Sequence, residues 1–84
     1  MDTTSAEQIL IKNLKNIGFR EERDVGEIWY RKDDVRVVID CGSVSIYKFA
    51  NFKNGIVEWF VRDMDANSVP FLAINAVIEE AVRS

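Results

Sequence analysis

The side chains that most enzymes use for proton transfer and nucleophilic attack are scarce in this chain. It has no histidine, which excludes histidine acid–base catalysis, Ser-His-Asp and Cys-His catalysis, and histidine metal ligation. Its single cysteine, Cys41, excludes an internal disulfide and a zinc-finger site. Because Cys41 follows a β-branched stretch, we expect it to be a small hydrophobic side chain on the core face of a strand.

Carboxylates are the remaining candidates for chemistry, and their spacing favours ordinary solvated positions. Residues 63–67 alternate oxygen-bearing side chains like the start of a calcium loop, but Ser68 and Ile74 stand where such a loop has glycine and glutamate. The adjacent acidic pairs at 33–34 and 79–80 are not placed to converge in a cleft. We therefore expect no enzyme activity, no metal site and no cofactor.

Length and charge narrow the class of protein further. We expect residues 1–84 to form a single domain, with 48% hydrophobic and 30% charged residues. The net charge of −3 argues against non-specific binding to DNA or RNA. The polar start at 1–4 does not resemble a signal peptide, and the apolar runs are far shorter than the roughly 20 residues of a membrane span. We expect a cytoplasmic protein that does not associate with membranes.

The pattern of apolar residues predicts a helix, then an antiparallel meander, then a second helix. Thr4 and Glu7 have the spacing of a capping box, and Gly18 has the position of a helix C-terminus. Asn67 and Ser68 are candidate caps of the last helix, with Pro70 near its first turn. The predicted strands are 19–23, 27–32, 35–41, 44–49 and 56–62. We therefore predict an α+β two-layer sandwich of four to five strands, with both helices on one sheet face.

The hairpin turns decide which side chains share a face of the predicted sheet. We expect two-residue turns at 33–34 and 42–43, and the second of these would pair Cys41 with Val44. The core face would then carry Ile28, Tyr30, Val35, Val37, Ile39, Cys41, Val44, Ile46, Val57, Trp59 and Val61.

The opposite face has an unusual composition for a surface that meets water. Its polar and smaller apolar positions are Val38, Asp40, Ser45, Ile56 and Glu58. The predicted partner-binding residues on this face are Trp29, Arg31, Arg36, Tyr47, Phe49, Phe60 and Arg62. Tryptophan, tyrosine and arginine dominate the hot spots of protein interfaces. If a helix covered each face, or if a strand slipped by one residue, the same aromatic side chains would belong to the core.

These observations favour a non-catalytic protein-interaction module, an adaptor or an inhibitor, that binds a protein partner through this face. A homodimer formed through the face or through exposed strand edges is part of the hypothesis. Small accessory proteins of phages and mobile elements share this size, acidity and element order, although no motif supports the similarity. One alternative is a single-stranded nucleic-acid binder that uses the same aromatic residues. Another is an acidic mimic of nucleic acid whose surface would draw on Asp24, Glu27, Asp33, Asp34, Asp63 and Asp65.

Overall fold

Two helices and a five-stranded antiparallel sheet make up the fold, which a computed structural model describes for residues 6–83. The elements in chain order are α1 (Ala6–Asn16), β1 (Arg20–Asp24), β2 (Glu27–Lys32), β3 (Val35–Asp40), β4 (Ser43–Asn51), β5 (Ile56–Asp65) and α2 (Phe71–Arg83). The sheet order β1-β2-β3-β4-β5 follows the chain, so the sheet is a simple meander. The predicted α+β architecture is confirmed.

Gly18 ends α1 because it supplies the left-handed conformation that closes the helix. Its φ is 105°, and its N–H donates to the carbonyl of Lys15 at 3.2 Å. The next N–H, that of Phe19, donates to the carbonyl of Leu14 at 2.9 Å, which completes a Schellman motif. Phe19 and Leu14 are both buried, so the motif also turns the chain from the helix into the sheet across the core.

The start of α1 is joined to the sheet through a carboxylate. Thr4, the predicted partner of Glu7 in a capping box, lies outside the described residues. Within them, the side chain of Glu7 accepts a hydrogen bond from the backbone N–H of Gly42, in the turn between β3 and β4. Glu7 therefore fastens the helix to one end of the sheet.

Both helices pack on the same face of the sheet. The buried core is one cluster that draws on α1, on α2 and on alternate positions of β2, β3 and β4. Its members from these elements are Leu10, Leu14, Ile74, Ile78, Ala81, Tyr30, Val35, Val37, Val44 and Ile46. The helices also touch each other, since the side-chain amide of Asn13 donates to that of Asn75 at 2.5 Å. The predicted two-layer arrangement is therefore confirmed.

The turn between β3 and β4 lies one residue earlier than the sequence predicts. Its central residues are Cys41 and Gly42, with φ of 50° and 82°, and Asp40 pairs with Ser43. Positive φ at both central residues defines the tight turn that matches the twist of a hairpin, and glycine suits the second position. The predicted pairing of Cys41 with Val44 is wrong, and Cys41 is an exposed turn residue rather than a core residue.

The predicted faces of the β3 and β4 side chains are nevertheless correct, although the turn lies one residue earlier. Moving the turn by one residue changes every cross-strand partner by two positions, so Ile39 pairs with Val44 instead of Ile46. Side chains along a strand alternate with period two, and a shift of two returns each residue to the same face. The other predicted hairpin, with Tyr30 opposite Val37, is confirmed.

A β-bulge in β5 overturns the predicted position of Val57. Lys48 pairs with Trp59 and the next residue, Phe49, pairs with Val57, so Glu58 is an extra residue in β5. Val57 therefore shares a face with Phe49 instead of the core, and it is 39% exposed. Trp59 packs partly buried against the core as predicted.

Ile28 is a further exception to the predicted core. The pairing of β2 with β3 runs from Lys32 opposite Val35 to Tyr30 opposite Val37, and Ile28 lies beyond it. Ile28 is accordingly exposed, in the part of the β1–β2 hairpin that extends past its neighbour.

The segment before α2 is organised by Asp65. Its side chain accepts the N–H of Asn67 at 2.9 Å and the hydroxyl of Ser68 at 3.0 Å. The helix begins at Phe71, and the carbonyl of Pro70 accepts the N–H groups of Ala73 and Ile74. The prediction that Asn67 or Ser68 caps α2 is therefore wrong, because both lie before the first turn and contact Asp65. Neither helix among residues 6–83 has the length and apolar character needed to cross a membrane.

Candidate functional site

The sheet face opposite the helices carries a continuous layer of aromatic and arginine side chains. We call it the aromatic–arginine face, and its members are Trp29, Arg31, Arg36, Tyr47, Phe49, Phe52, Phe60 and Arg62. Strand pairing brings it together, because Arg36 lies opposite Tyr47 and Tyr47 opposite Phe60. The core cluster joins both helices to the other side of the sheet, which leaves this layer outside the helical cover.

Arg36 lies at the centre of the layer, enclosed by rings. Its guanidinium carbon is 4.6 Å from the ring centroid of Trp29, 5.2 Å from that of Phe52 and 5.3 Å from that of Phe49. These are cation–π distances, which are favourable to a charged side chain that has lost part of its water. The buried Nε of Arg36 has no hydrogen-bond partner among the described residues. Arg36 is therefore held chiefly by aromatic contacts.

Phe52 belongs to this layer although the sequence pattern placed it in a loop. The turn that carries it is closed by two bonds, from the N–H of Asn54 to the side-chain oxygen of Asn51 and from the N–H of Gly55 to the carbonyl of Phe52, both 3.2 Å. The turn folds the Phe52 ring against that of Phe49, with centroids 4.7 Å apart. Asn54-Gly55 signals a turn in the sequence, but it does not show the side of the sheet on which the turn places Phe52.

The position of Phe52 changes the role of Phe49. Phe49, a predicted partner-binding residue, is only 7% exposed because Phe52 covers it and Tyr47 flanks it, with ring centroids 6.5 Å apart. It supports the layer from within and does not present its ring to solvent.

Arg31 is fixed at the margin of the layer by contacts of three kinds. Its guanidinium carbon lies 3.6 Å from the centroid of Phe52, and its Nε donates to the carbonyl of Asp33 at 3.1 Å. One terminal nitrogen is 3.8 Å from a carboxylate oxygen of Glu22. The other oxygen of Glu22 accepts the indole N–H of Trp29 at 2.9 Å. Glu22, which the sequence did not single out, therefore joins Arg31 and Trp29 from β1.

The accessible part of the face lies over β4 and β5. Phe60 is 53% exposed and stacks on the half-buried ring of Tyr47, with centroids 6.1 Å apart and an interplanar angle of 29°. The guanidinium carbon of the exposed Arg62 is 5.9 Å from the Phe60 centroid. Ile56 and Val57, at the start of β5, are also exposed. The apolar surface available to a partner is concentrated here.

The acidic turn residues divide between the two ends of the sheet. Successive turns of a meander lie at alternate ends, which places Asp33 and Asp34 at the end opposite Asp24 and Glu27. Asp63 and Asp65, near the end of β5, lie at the same end as Asp24 and Glu27. The six carboxylates of the acidic-mimic hypothesis therefore do not all meet at one end of the sheet.

Cys41 does not have the environment of an activated nucleophile. The pKa of its thiol is raised by a hydrogen bond with Asp40 and by the charge of that carboxylate, with a further contribution from the charge of Glu7. A raised pKa leaves less thiolate at neutral pH, and the thiolate is the reactive form. Among the described residues, no three His, Cys, Asp or Glu side chains are grouped to hold a metal ion.

Comparison with protein-family models, curated proteins and solved structures finds no match to this chain.

Proposed function

We propose that this protein is a small interaction module, an adaptor or an inhibitor, that binds a protein partner through the aromatic–arginine face. The observation that supports this most strongly is the stack of the exposed Phe60 on Tyr47, beside Arg62, on the sheet face without helical cover. Exposed apolar patches of this kind mark interaction sites, and aromatic residues and arginine are the common anchors of interfaces.

The side chains that pack beneath Phe60 and Tyr47 are already ordered before a partner binds. Phe49 is buried under Phe52, and Arg36 is enclosed by Trp29, Phe49 and Phe52. Side chains that already hold one conformation lose little entropy when a partner docks. The buried layer would therefore act as a rigid base for Tyr47 and Phe60.

The exposed groups indicate the chemistry of the partner. Phe60 and the neighbouring Ile56 and Val57 offer apolar contact, and Arg62 adds an exposed positive charge at the same place. A complementary surface would carry apolar or aromatic side chains with a carboxylate near Arg62.

A protein partner fits these contacts better than a single nucleic-acid strand does. Binding of a strand requires arginine or lysine side chains that are available to phosphates along a row of exposed rings. Arg31 and Arg36 are occupied by contacts within the face, and Phe49 is covered. Salt-dependent capture of an oligonucleotide at low ionic strength would favour nucleic acid instead.

A comparative pull-down from the native host tests the proposal. The baits are the unmodified protein, the double variant Tyr47→Ser/Phe60→Ser, and the control Leu72→Ser. Leu72 is 77% exposed on α2, so the control removes a large apolar side chain from a different surface. We expect the unmodified protein and the control to capture the same partner, and the double variant to lose it.

Two results would contradict the proposal. One is equal capture of the partner by the double variant and the unmodified protein, which would place binding elsewhere. The other is loss of all capture after nuclease treatment, which would show that nucleic acid carried the interaction.

A further inference from the structure

The outer edge of β5 presents main-chain groups that face away from the sheet. Ser43, the first residue after the β3–β4 turn, pairs with Asp40, and its main-chain groups point toward β3. Main-chain groups alternate in direction along a strand, so the N–H and C=O of Ile46 and Lys48 point toward β5. Their partners are Val61 and Trp59. Phe60 lies between these partners, and its own N–H and C=O therefore point outward.

The two edges of the sheet differ in their readiness to pair with another strand. β5 is ten residues long and exposes Ile56, Val57 and Phe60. β1 is five charged residues long, and Arg23 is bound to Glu21 at 2.8 Å. Charged, short edges resist pairing, whereas long apolar edges promote it.

We propose that a second copy of this chain pairs with β5, antiparallel, about a twofold axis at Phe60. In this register the outward N–H and C=O of each Phe60 meet those of the other copy, and the two exposed rings lie side by side. Glu58 of each copy, at one end of the regularly paired stretch, then lies nearest Arg62 of the other copy, at the opposite end. The strand is therefore complementary to itself in charge as well as in hydrogen bonding.

Neighbouring registers lack this complementarity. An axis at Glu58 or at Arg62 sets like charges directly opposite each other, which is destabilising. An axis at Trp59 sets Phe60 opposite Glu58, and an axis at Val61 sets Phe60 opposite Arg62. Of the five axis positions from 58 to 62, only the axis at Phe60 brings Glu58 of each copy beside Arg62 of the other.

Irregularities in β5 limit how far the pairing extends. The pairing of β5 with β4 shifts at Glu58 and again between Val61 and Met64, and Asp63 has a positive φ of 60°. Bulges bend and twist a strand, so the regularly paired stretch is 59–61, with Glu58 and Arg62 at its two ends. A short, self-complementary edge with a charged edge on the far side of the sheet leads to a closed dimer and not to a fibre.

Charge reversal tests the register by sedimentation over a range of protein concentrations. We expect Glu58→Arg and Arg62→Glu each to weaken self-association by about tenfold or more, because each sets like charges opposite one another twice. The double variant, which exchanges the two charges, should recover most of the loss. Glu27→Arg is the matched control, because it changes the net charge by the same amount at an exposed position in β2. It should leave self-association unchanged.

Amide hydrogen exchange gives an independent readout at the level of single residues. The N–H of Phe60 should exchange quickly in dilute solution and become protected as concentration rises. The amides of Trp59 and Val61, which bond to β4, should be protected at every concentration. This alternation distinguishes edge pairing from association through the open face.

A protein that stays monomeric at millimolar concentration would overturn the inference. So would a dimer that Glu58→Arg and Glu27→Arg affect equally, or one in which the Phe60 amide stays unprotected. The inference concerns the edge of the sheet, so it fails separately from the proposed function. A monomer whose capture of a partner depends on Tyr47 and Phe60 contradicts the dimer alone, and a dimer without such capture contradicts the interaction module alone.

Discussion

The guanidinium of Arg36 lies over the indole ring of Trp29, with 4.6 Å between the guanidinium carbon and the ring centroid. This contact links β3 to β2 on the side of the sheet that the helices leave uncovered. Because the Nε of Arg36 is buried without a hydrogen-bond partner among the described residues, aromatic rings carry much of its stabilisation. The face is therefore an ordered layer before any partner arrives.

Replacing Arg36 with methionine should change stability little. The variant loses cation–π attraction of about 0.5–2 kcal/mol but also removes a buried, unpaired donor that costs about 1–3 kcal/mol. We expect the free energy of unfolding in urea to stay within about 1 kcal/mol of the unmodified protein, since these two effects oppose each other. A loss of several kcal/mol would show that Arg36 has stabilising contacts beyond the rings.

The accessible aromatic pair should be dispensable for folding. We expect Tyr47→Ser/Phe60→Ser to lower the free energy of unfolding by about 1–2 kcal/mol, because Phe60 is exposed and Tyr47 only half-buried. The core variant Ile46→Ala, at a fully buried position of the same strand, should cost about 2–5 kcal/mol. Urea titrations followed by circular dichroism give both values. If the double variant unfolds, the two rings belong to the core.

The thiol of Cys41 should be accessible but slow to react. Asp40 raises the pKa of this thiol by a hydrogen bond and by its charge. An ordinary cysteine has a pKa of about 8.5, so at pH 7.5–8 Cys41 has a smaller fraction of thiolate than an ordinary cysteine. We expect Asp40→Asn to speed alkylation by iodoacetamide in the native protein. Complete protection of Cys41 without denaturant would mean that it is buried after all.

The segment before α2 should make stability depend on acid pH. The N–H of Asn67 and the hydroxyl of Ser68 lower the pKa of Asp65 in the folded protein. Its contribution to stability is therefore complete above the unfolded pKa of about 3.9 and is lost as pH falls through the lower folded pKa.

Urea midpoints of the unmodified protein and Asp65→Ala should therefore differ at pH 7 and converge in strong acid. Ser68→Ala removes only the hydroxyl donor to Asp65 and should give a smaller difference of the same sign. A difference that stays constant from pH 7 to strong acid would contradict this assignment.

The sequence was sufficient to predict which face of each inner strand meets the core, and the reason is periodicity. The β3–β4 turn was misplaced by one residue, yet the error moved partners by two positions and left the faces intact. The prediction for Cys41 is wrong because Gly42-Ser43 also has the composition of a hairpin turn. The turn instead uses Cys41 and Gly42, which both have the positive φ that matches the twist of a hairpin.

Features that depend on interruptions of the pattern could not be predicted in the same way. The bulge at Glu58 moves Val57 to the open face, and no residue type in that stretch marks the extra position. Phe52 lies in a turn, so strand alternation assigns it to neither face, and only the folded turn shows that it covers Phe49. The contribution of Glu22 arises across strands, from its pairing with Trp29.

Hydroxyl-radical footprinting tests most directly whether the aromatic–arginine face is an open binding surface. In dilute protein, we expect strong oxidation of Phe60 and Leu72, intermediate oxidation of Tyr47 and little of Phe49, in line with their exposure. When the captured partner is added, Phe60 and Tyr47 should become protected while Leu72 stays reactive. Unchanged oxidation of Phe60 in the complex, together with protection of Leu72, would contradict the account.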